Sequence, residues 1–256
     1  AKHIAITDSE TDRQRVKSAL EAEPKTGPGE VWIVLVGHGT FDGKEAKLNL
    51  RGPDLSATEL AEWLKPFERP LAIIDTTSSS APFLAKLAGK KRVVVSATRS
   101  GNEQNYARFG KYLAEAVGDP KSDLDKDGQI SLLESFLSAS HRTSEFYKTE
   151  GRLATEHALI DDTGDGLGTP ADWFRGVIAT KRAREGVPLD GLRAHQFHLV
   201  RSAMEQQLPP EARAQRDQLE QQIAALREKK AKMNEEKYFL ELEKMMLELA
   251  RLYDGT

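Results

Sequence analysis

The chain of 256 residues contains no cysteine. Disulfides, thiolate metal sites, iron–sulfur clusters and a cysteine nucleophile are thereby excluded. No apolar run approaches the roughly 20 residues of a membrane-spanning helix, and the opening Ala1-Lys2-His3 carries no signal-peptide core. Neither sign of charge is in excess: 37 Lys and Arg stand against 40 Asp and Glu, for a net charge of -3. Nucleic-acid binding needs a basic face, and this balance argues against one. Apolar residues are also scarce, 39% beside 30% charged, which predicts that part of the chain is solvated helix and not core.

The first half alternates between two kinds of segment. Apolar bursts at His3–Thr7, Val31–Gly37, Leu71–Thr76 and Arg92–Thr98 read as buried parallel strands. Between them, Asp12–Ala22, Ser56–Leu64 and Pro82–Ala88 read as helices, the second opened by Ser56 with Glu59 three residues on. That order predicts an α/β fold with a mostly parallel sheet flanked by helices. Three parts are expected: an α/β domain at 1–118, a helical extension at 119–200 and a C-terminal helical segment at 201–256. Within the extension, Tyr106–Val117, Leu132–Tyr147 and Trp173–Arg184 are expected to be helical.

The strand Val31–Gly37 runs straight into Gly37-His38-Gly39, and the next core strand ends in Asp75-Thr76-Thr77-Ser78-Ser79-Ser80. If the two strands are neighbours, His38 faces a row of hydroxyls at the carboxyl edge of the sheet, where ligands bind in open α/β folds. Read on residues alone, His38 is equally a structural histidine in a strand-end turn, with the hydroxyls capping the next helix. The layout resembles the caspase/legumain-like cysteine peptidases, as in a bacterial member with its nucleophile replaced. In that family a strand ends in His-Gly, and the following one ends in an acidic residue, a small residue and the catalytic cysteine. The resemblance covers roughly Ile4 to Tyr112 and implies that Thr77 stands at the nucleophile position, with Ser78 beside it. It also implies that the loop carrying Arg99 and Glu103 helps form a substrate pocket. The family's first strand and helix should precede His3, so the chain reads as a fragment, with an N-terminal piece of the same precursor as one expected partner. A threonine hydroxyl does not ionise as a thiol does and works only with a well-oriented base. The expectation is therefore a disabled site, a pseudopeptidase; the alternative is a hydrolase using a Thr or Ser nucleophile with His38 as general base.

Asp123–Glu134 reads D-L-D-K-D-G-Q-I-S-L-L-E, the full EF-hand pattern. Asp123, Asp125 and Asp127 each present one oxygen, Gln129 its backbone carbonyl, and Glu134 both carboxylate oxygens, which predicts Ca²⁺. A second, less complete pattern places Asp161, Thr163, Asp165 and Asp172 at positions 1, 3, 5 and 12, although Pro170 interrupts it. His195 and His198, three apart, suggest no ligand set of their own. The calcium loop and the absence of cysteine favour an extracytoplasmic location.

Between Pro210 and Gly255 there is neither glycine nor proline. Leu219, Ile223 and Leu226, then Leu242, Met245, Leu249 and Leu252, step by three and four, the spacing of a coiled-coil seam. Lys230 and Lys237 break the seam and Asn234 resembles an N-cap, so two helices, Pro210–Lys232 and Glu235–Tyr253, are expected to fold as a hairpin. Its apolar stripe suits self-association or a protein partner. The expected whole is a calcium-stabilised binding or scaffold protein.

Overall fold

The computed structural model describes residues 12–254; the strand expected at His3–Thr7 lies outside them. Two compact units divide the chain, one running to Leu199 and one from Val200. The first unit begins with helix α1 (Asp12–Ala22), strand β1 (Val31–Leu35) and a small antiparallel sheet of β2 (Gly39–Phe41), β3 (Ala46–Leu48) and β4 (Leu55–Ser56). Helix α2 (Ala57–Leu64), β5 (Leu71–Asp75), α3 (Ala81–Leu87) and β6 (Arg92–Ser96) follow in alternation. Beyond them come α4 (Phe109–Ala116), α5 (Leu132–Thr149) and two short strands, β7 (Leu159–Asp161) and β8 (Thr169–Pro170).

The fold is mixed α/β. Its central sheet has the order β1-β5-β6-β7-β8. The three long strands are parallel, with Val31 opposite Leu71 and Leu71 opposite Arg92, so their carboxyl ends are level. Both short strands run antiparallel and extend the same sheet. Period-two alternation divides the middle strand between two cores. Leu71 and Ile73 join Leu60, Leu64, Phe83 and Leu87 on the α2/α3 side. Ala72 and Ile74 join Phe109, Leu113, Leu133 and Phe136 on the α4/α5 side. Every residue of β5 is buried, which is why it reads as an unbroken apolar run.

Local signals set the helix ends. The Ser56 hydroxyl accepts from the Glu59 N–H while Glu59 reaches back to the Ser56 N–H, closing the expected capping box at α2. Ser131 and Glu134 form a second box at α5. The helix expected at Trp173–Arg184 is absent. A 3-10 turn, Ala171–Trp173, leads instead into a two-stranded ribbon of β9 (Phe174–Arg175) and β10 (Ile178–Ala179). Gly176 turns that ribbon at φ +59, and the β-prone Phe174, Val177 and Ile178 outweigh the helical spacing. A four-residue helix, α6 (Leu192–His195), closes the unit.

In the second unit, α7 (Ala203–Gln207) precedes α8 (Pro210–Lys229) and α9 (Glu235–Asp254). These last two pack on each other across a turn at residues 230–234, as the expected hairpin. Asn234 Oδ1 accepts from the Lys237 N–H at 3.1 Å, as an N-cap should. Leu219, Ile223, Leu226 and Tyr238 are buried, while Lys230 leaves the seam and lies over the Tyr238 and Phe239 rings. No helix among the described residues is long and apolar enough to cross a membrane.

Helix α5 couples the sheet to the loop before it, and Phe136 is its centre, fully buried and edge-to-face with both Phe109 and Phe174. Phe136→Ala should cost about 3–5 kcal/mol of unfolding free energy, measured as a lower midpoint in urea at unchanged slope. A loss well under about 1 kcal/mol would mean that α5 is not packed as described.

Candidate functional site

Parallel pairing of β1 and β5 brings their following turns together. Gly39 has no room for a side chain: a Cβ there would lie 2.0 Å from the Ser78 carbonyl oxygen and 2.7 Å from Thr77 Oγ1. That close approach sets His38 beside the hydroxyl row. The residue facing it is Ser78, whose Oγ is 3.3 Å from His38 Nδ1. The same hydroxyl donates to the Gly39 carbonyl at 2.8 Å and accepts from the Gly39 N–H at 3.2 Å. Among the described residues, no carboxylate orients the exposed His38 ring.

Thr77 directs its hydroxyl at Asp75 and not at His38. Its hydroxyl donates to Asp75 Oδ1 at 2.7 Å and the residue is 1% exposed. The remaining hydroxyls are also engaged or enclosed. Thr76 donates to the Leu35 carbonyl, and Ser80 pairs with Thr98. Ser79, held at φ +56, has a buried hydroxyl without a partner and no exposed surface. Arg99 and Glu103 are brought together as an ion pair at 3.3 Å, and His157 Nδ1 lies 2.6 Å from the same Glu103 oxygen. Their charges neutralise one another instead of presenting one sign. A cavity of about 520 Å³ lies between α5 and residues 154–176, lined by Leu124, Leu137, Tyr147, His157 and Phe174; neither His38 nor the hydroxyl row borders it.

The loop Asp123–Glu134 is wound by its own carboxylates. Asp123 accepts from the Lys126 and Gly128 N–H groups at 2.7 and 3.2 Å, and Asp127 accepts from the Gln129 N–H at 2.8 Å. Lys126 and Gly128 take positive φ, +65 and +84, to make the turn. Asp123, Asp125 and Asp127 thus come within 4.8 Å of one another. Glu134 is 1% exposed; Oε1 accepts from the Leu124 and Asp125 N–H groups, and Oε2 from Ser131. Asp123, Asp125 and Asp127 offer oxygens that fit a hard cation such as Ca²⁺, while Glu134 falls in a separate group with Asp125 and His195. Helix α4 ends at Ala116, earlier than the expected Val117, and a 3-10 turn at Pro120–Ser122 leads into the loop. His195, which the sequence left without a role, lies 2.9 Å from Asp125 Oδ2, and a metal at Asp125 and Glu134 would have it as neighbour. Seventy residues of separation hid that contact.

The second pattern is assembled only in part. Asp161, Thr163 and Asp165 share one turn, with the Thr163 and Gly164 N–H groups and the Thr163 hydroxyl all directed at Asp161. Asp172 is exposed and takes no part. Burial pushes the Asp161 carboxyl above its ordinary value, and the like charges of Asp190 and Asp165 add to that. Burial, followed by the charge of Asp162, pushes Asp190 up to about 7.

Asp75 gives the first site its pH dependence. Fully buried, with Oδ2 unpartnered, it is pushed up to about 6 by desolvation, against the two hydrogen bonds from Thr77. An unfolded aspartate titrates near 3.9. The folded chain therefore retains a proton that the unfolded chain releases, and this stabilisation is complete below about pH 3.9 and lost as pH rises through about 6. The expected outcome is that unfolding free energy falls by about 2–3 kcal/mol from this group between pH 4 and pH 7. Urea titrations across that range, on native chain and Asp75→Asn, should show a flatter slope in the variant; identical slopes would mean that Asp75 is ionised in the fold. Comparison with protein families, with curated proteins and with solved structures finds no match to this chain.

Proposed function

We propose that the chain is a catalytically degenerate, caspase/legumain-like pseudopeptidase that serves as a calcium-stabilised binding or scaffold protein. The observation that carries this reading is the position of Thr77. Where that family has its thiolate, the hydroxyl is buried and donates to Asp75 at 2.7 Å. A nucleophile needs an open approach for substrate and a base free to take its proton; Thr77 is enclosed, and its proton is held by the buried Asp75 and not by His38. The Arg99–Glu103 pair supports the same conclusion, since its opposite charges give the loop no net sign with which to select a substrate side chain.

Ca²⁺ would be held by Asp123, Asp125, Asp127, the Gln129 carbonyl and Glu134, and when bound it would offset the repulsion among carboxylates gathered in one turn. The partner surface in this reading is α9. Phe239, Leu240, Met246, Leu247 and Tyr253 are exposed on it, beyond the stripe that α8 can use, and an exposed apolar patch of this kind suits self-association or a helical partner.

A second reading rests on the 3.3 Å approach of Ser78 Oγ to His38 Nδ1. In it, Ser78 is the nucleophile of a hydrolase and His38 its base. Against this, the hydroxyl is 3% exposed and its shorter hydrogen bond goes to the Gly39 carbonyl. Peptide esters and a peptide library test both readings. No acyl-enzyme burst and no turnover are expected from the native chain or from Thr77→Cys. A burst that Ser78→Ala and His38→Ala both abolish would establish the hydrolase and remove the pseudopeptidase reading.

Calcium is tested by melting. At a hundredfold excess over Kd it should stabilise the chain by about 2.7 kcal/mol relative to chelator, and Glu134→Gln should lose most of that shift. Glutamine keeps a capping-box side chain at that position, so the variant isolates the charge from the helix start. An unchanged melting point in chelator, with no heat of binding at millimolar Ca²⁺, would reduce the loop to a polar turn.

A further inference from the structure

We propose that the cavity between α5 and residues 154–176 is a binding site for an organic amine, an ammonium group carried on an apolar body. The site is independent of the pseudopeptidase reading, because no part of the His38 turn borders it. Its volume of about 520 Å³ falls within the roughly 300–1,000 Å³ of small-molecule sites. One wall is a stripe of α5 on which Leu137, Ser140, Ser144 and Tyr147 recur at three- and four-residue spacing. The other comes from the segments around β7, β8 and β9, with Ala158, Pro170 and Phe174. Leu137, Ala158, Pro170 and Phe174 give an apolar body something to pack on.

The polar groups of the cavity are fixed as acceptors. Ser140 and Thr143 donate to the Phe136 and Ala139 carbonyls, at 2.7 and 2.8 Å, so their hydroxyls can only accept from a ligand. Tyr147 donates to Glu156 at 3.0 Å and is spent in the same way. His157 is the clearest case. Its Nδ1 lies 2.6 Å from the Glu103 carboxylate, which has no proton to give, so the ring donates there. That contact leaves Nε2 an acceptor, and it has no partner among the described residues. Ser144 and His141, exposed at the rim, can turn either way.

Charge points in the same direction. Two carboxylates border the cavity and no lysine or arginine does. Glu156 is saturated, since its oxygens accept from the Arg108 and Phe109 N–H groups as well as from Tyr147. Asp172 is exposed and pairs with no cation and no hydrogen-bond donor among the described residues. An ammonium group has three donors and no acceptor, and its charge is opposite to that of Asp172. An alcohol would satisfy these acceptors in part, and a carboxylate would meet a wall of lone pairs. Hydrogen bonds between charged partners are also the stronger ones, so the amine is the ligand this lining favours.

The test is calorimetric titration of the full chain with three probes that share an indole body: tryptamine, tryptophol and indole-3-propionate. Circular dichroism checks that each variant folds. Tryptamine should bind one site, tryptophol about tenfold more weakly, and indole-3-propionate not measurably. Asp172→Asn should weaken tryptamine by about tenfold and leave tryptophol unchanged, a separation that a merely structural effect would not give. Ala154→Trp, at an exposed position on the cavity rim, places a ring in the opening and should abolish tryptamine binding. Equal affinity for the three probes would overturn the proposal, as would no heat from tryptamine at millimolar concentration. So would tryptamine binding that Asp172→Asn leaves untouched or weakens no more than tryptophol, or binding that survives in folded Ala154→Trp.

Discussion

Glu134, Glu156 and Asp190 each bury a carboxylate among N–H groups that belong to a different stretch of chain. Glu156 collects the N–H groups of Arg108 and Phe109 and the Tyr147 hydroxyl, joining the start of α4 to the end of α5. Glu134 ties α5 to its preceding loop, and Asp190 ties residues 190–195 to the loop after β7. Buried backbone donors must find acceptors, and the helix starts and loops that these three carboxylates reach have none within their own element. Charged acceptors make the stronger bonds, so three side chains hold the junctions between α4, α5 and the loop after β7.

That solution carries an electrostatic cost that differs from site to site. Asp190 and Asp161 sit near other carboxylates and are driven towards the protonated form. Asp75 reaches the same state by burial alone. A proton and a divalent cation are two ways of removing the same excess charge, and the geometry around each group decides which is available. Asp75 has only Thr77 beside it, so a proton suffices there. Asp161 and Asp165 lie in one turn, where each adds to the other's charge.

Sequence made the parallel core legible because its signals are local. Val31–Leu35, Leu71–Asp75 and Arg92–Ser96 are apolar on both faces, and the Ser56–Glu59 capping box spans four residues. The turn at Asp123–Glu134 is legible for the same reason, since the carboxylates and N–H groups that wind it fall within twelve positions. What failed was anything that depended on a partner far along the chain. His195 reaches Asp125 across 70 residues, and Asp190 reaches Thr163 across 27. Trp173–Arg184 kept helical spacing yet formed a ribbon, because Gly176 offered a turn and the segment beside α5 left room for extended chain.

The hydroxyl row shows the same limit on a smaller scale. Alignment by layout put Thr77 opposite His38, but β5 ends at Asp75 and the chain then turns, so the hydroxyl that reaches the imidazole is set by the turn and not by the order of residues. Ser78 faces it, pinned at both its donor and acceptor sides by the Gly39 backbone. A hydroxyl so placed is well suited to hold two strand ends together. The same two bonds oppose its release towards a substrate, because attack would require it to give up the Gly39 carbonyl and pass its proton to His38 instead. The turn therefore trades reactivity for a fixed junction between β1 and β5 at the carboxyl edge of the sheet.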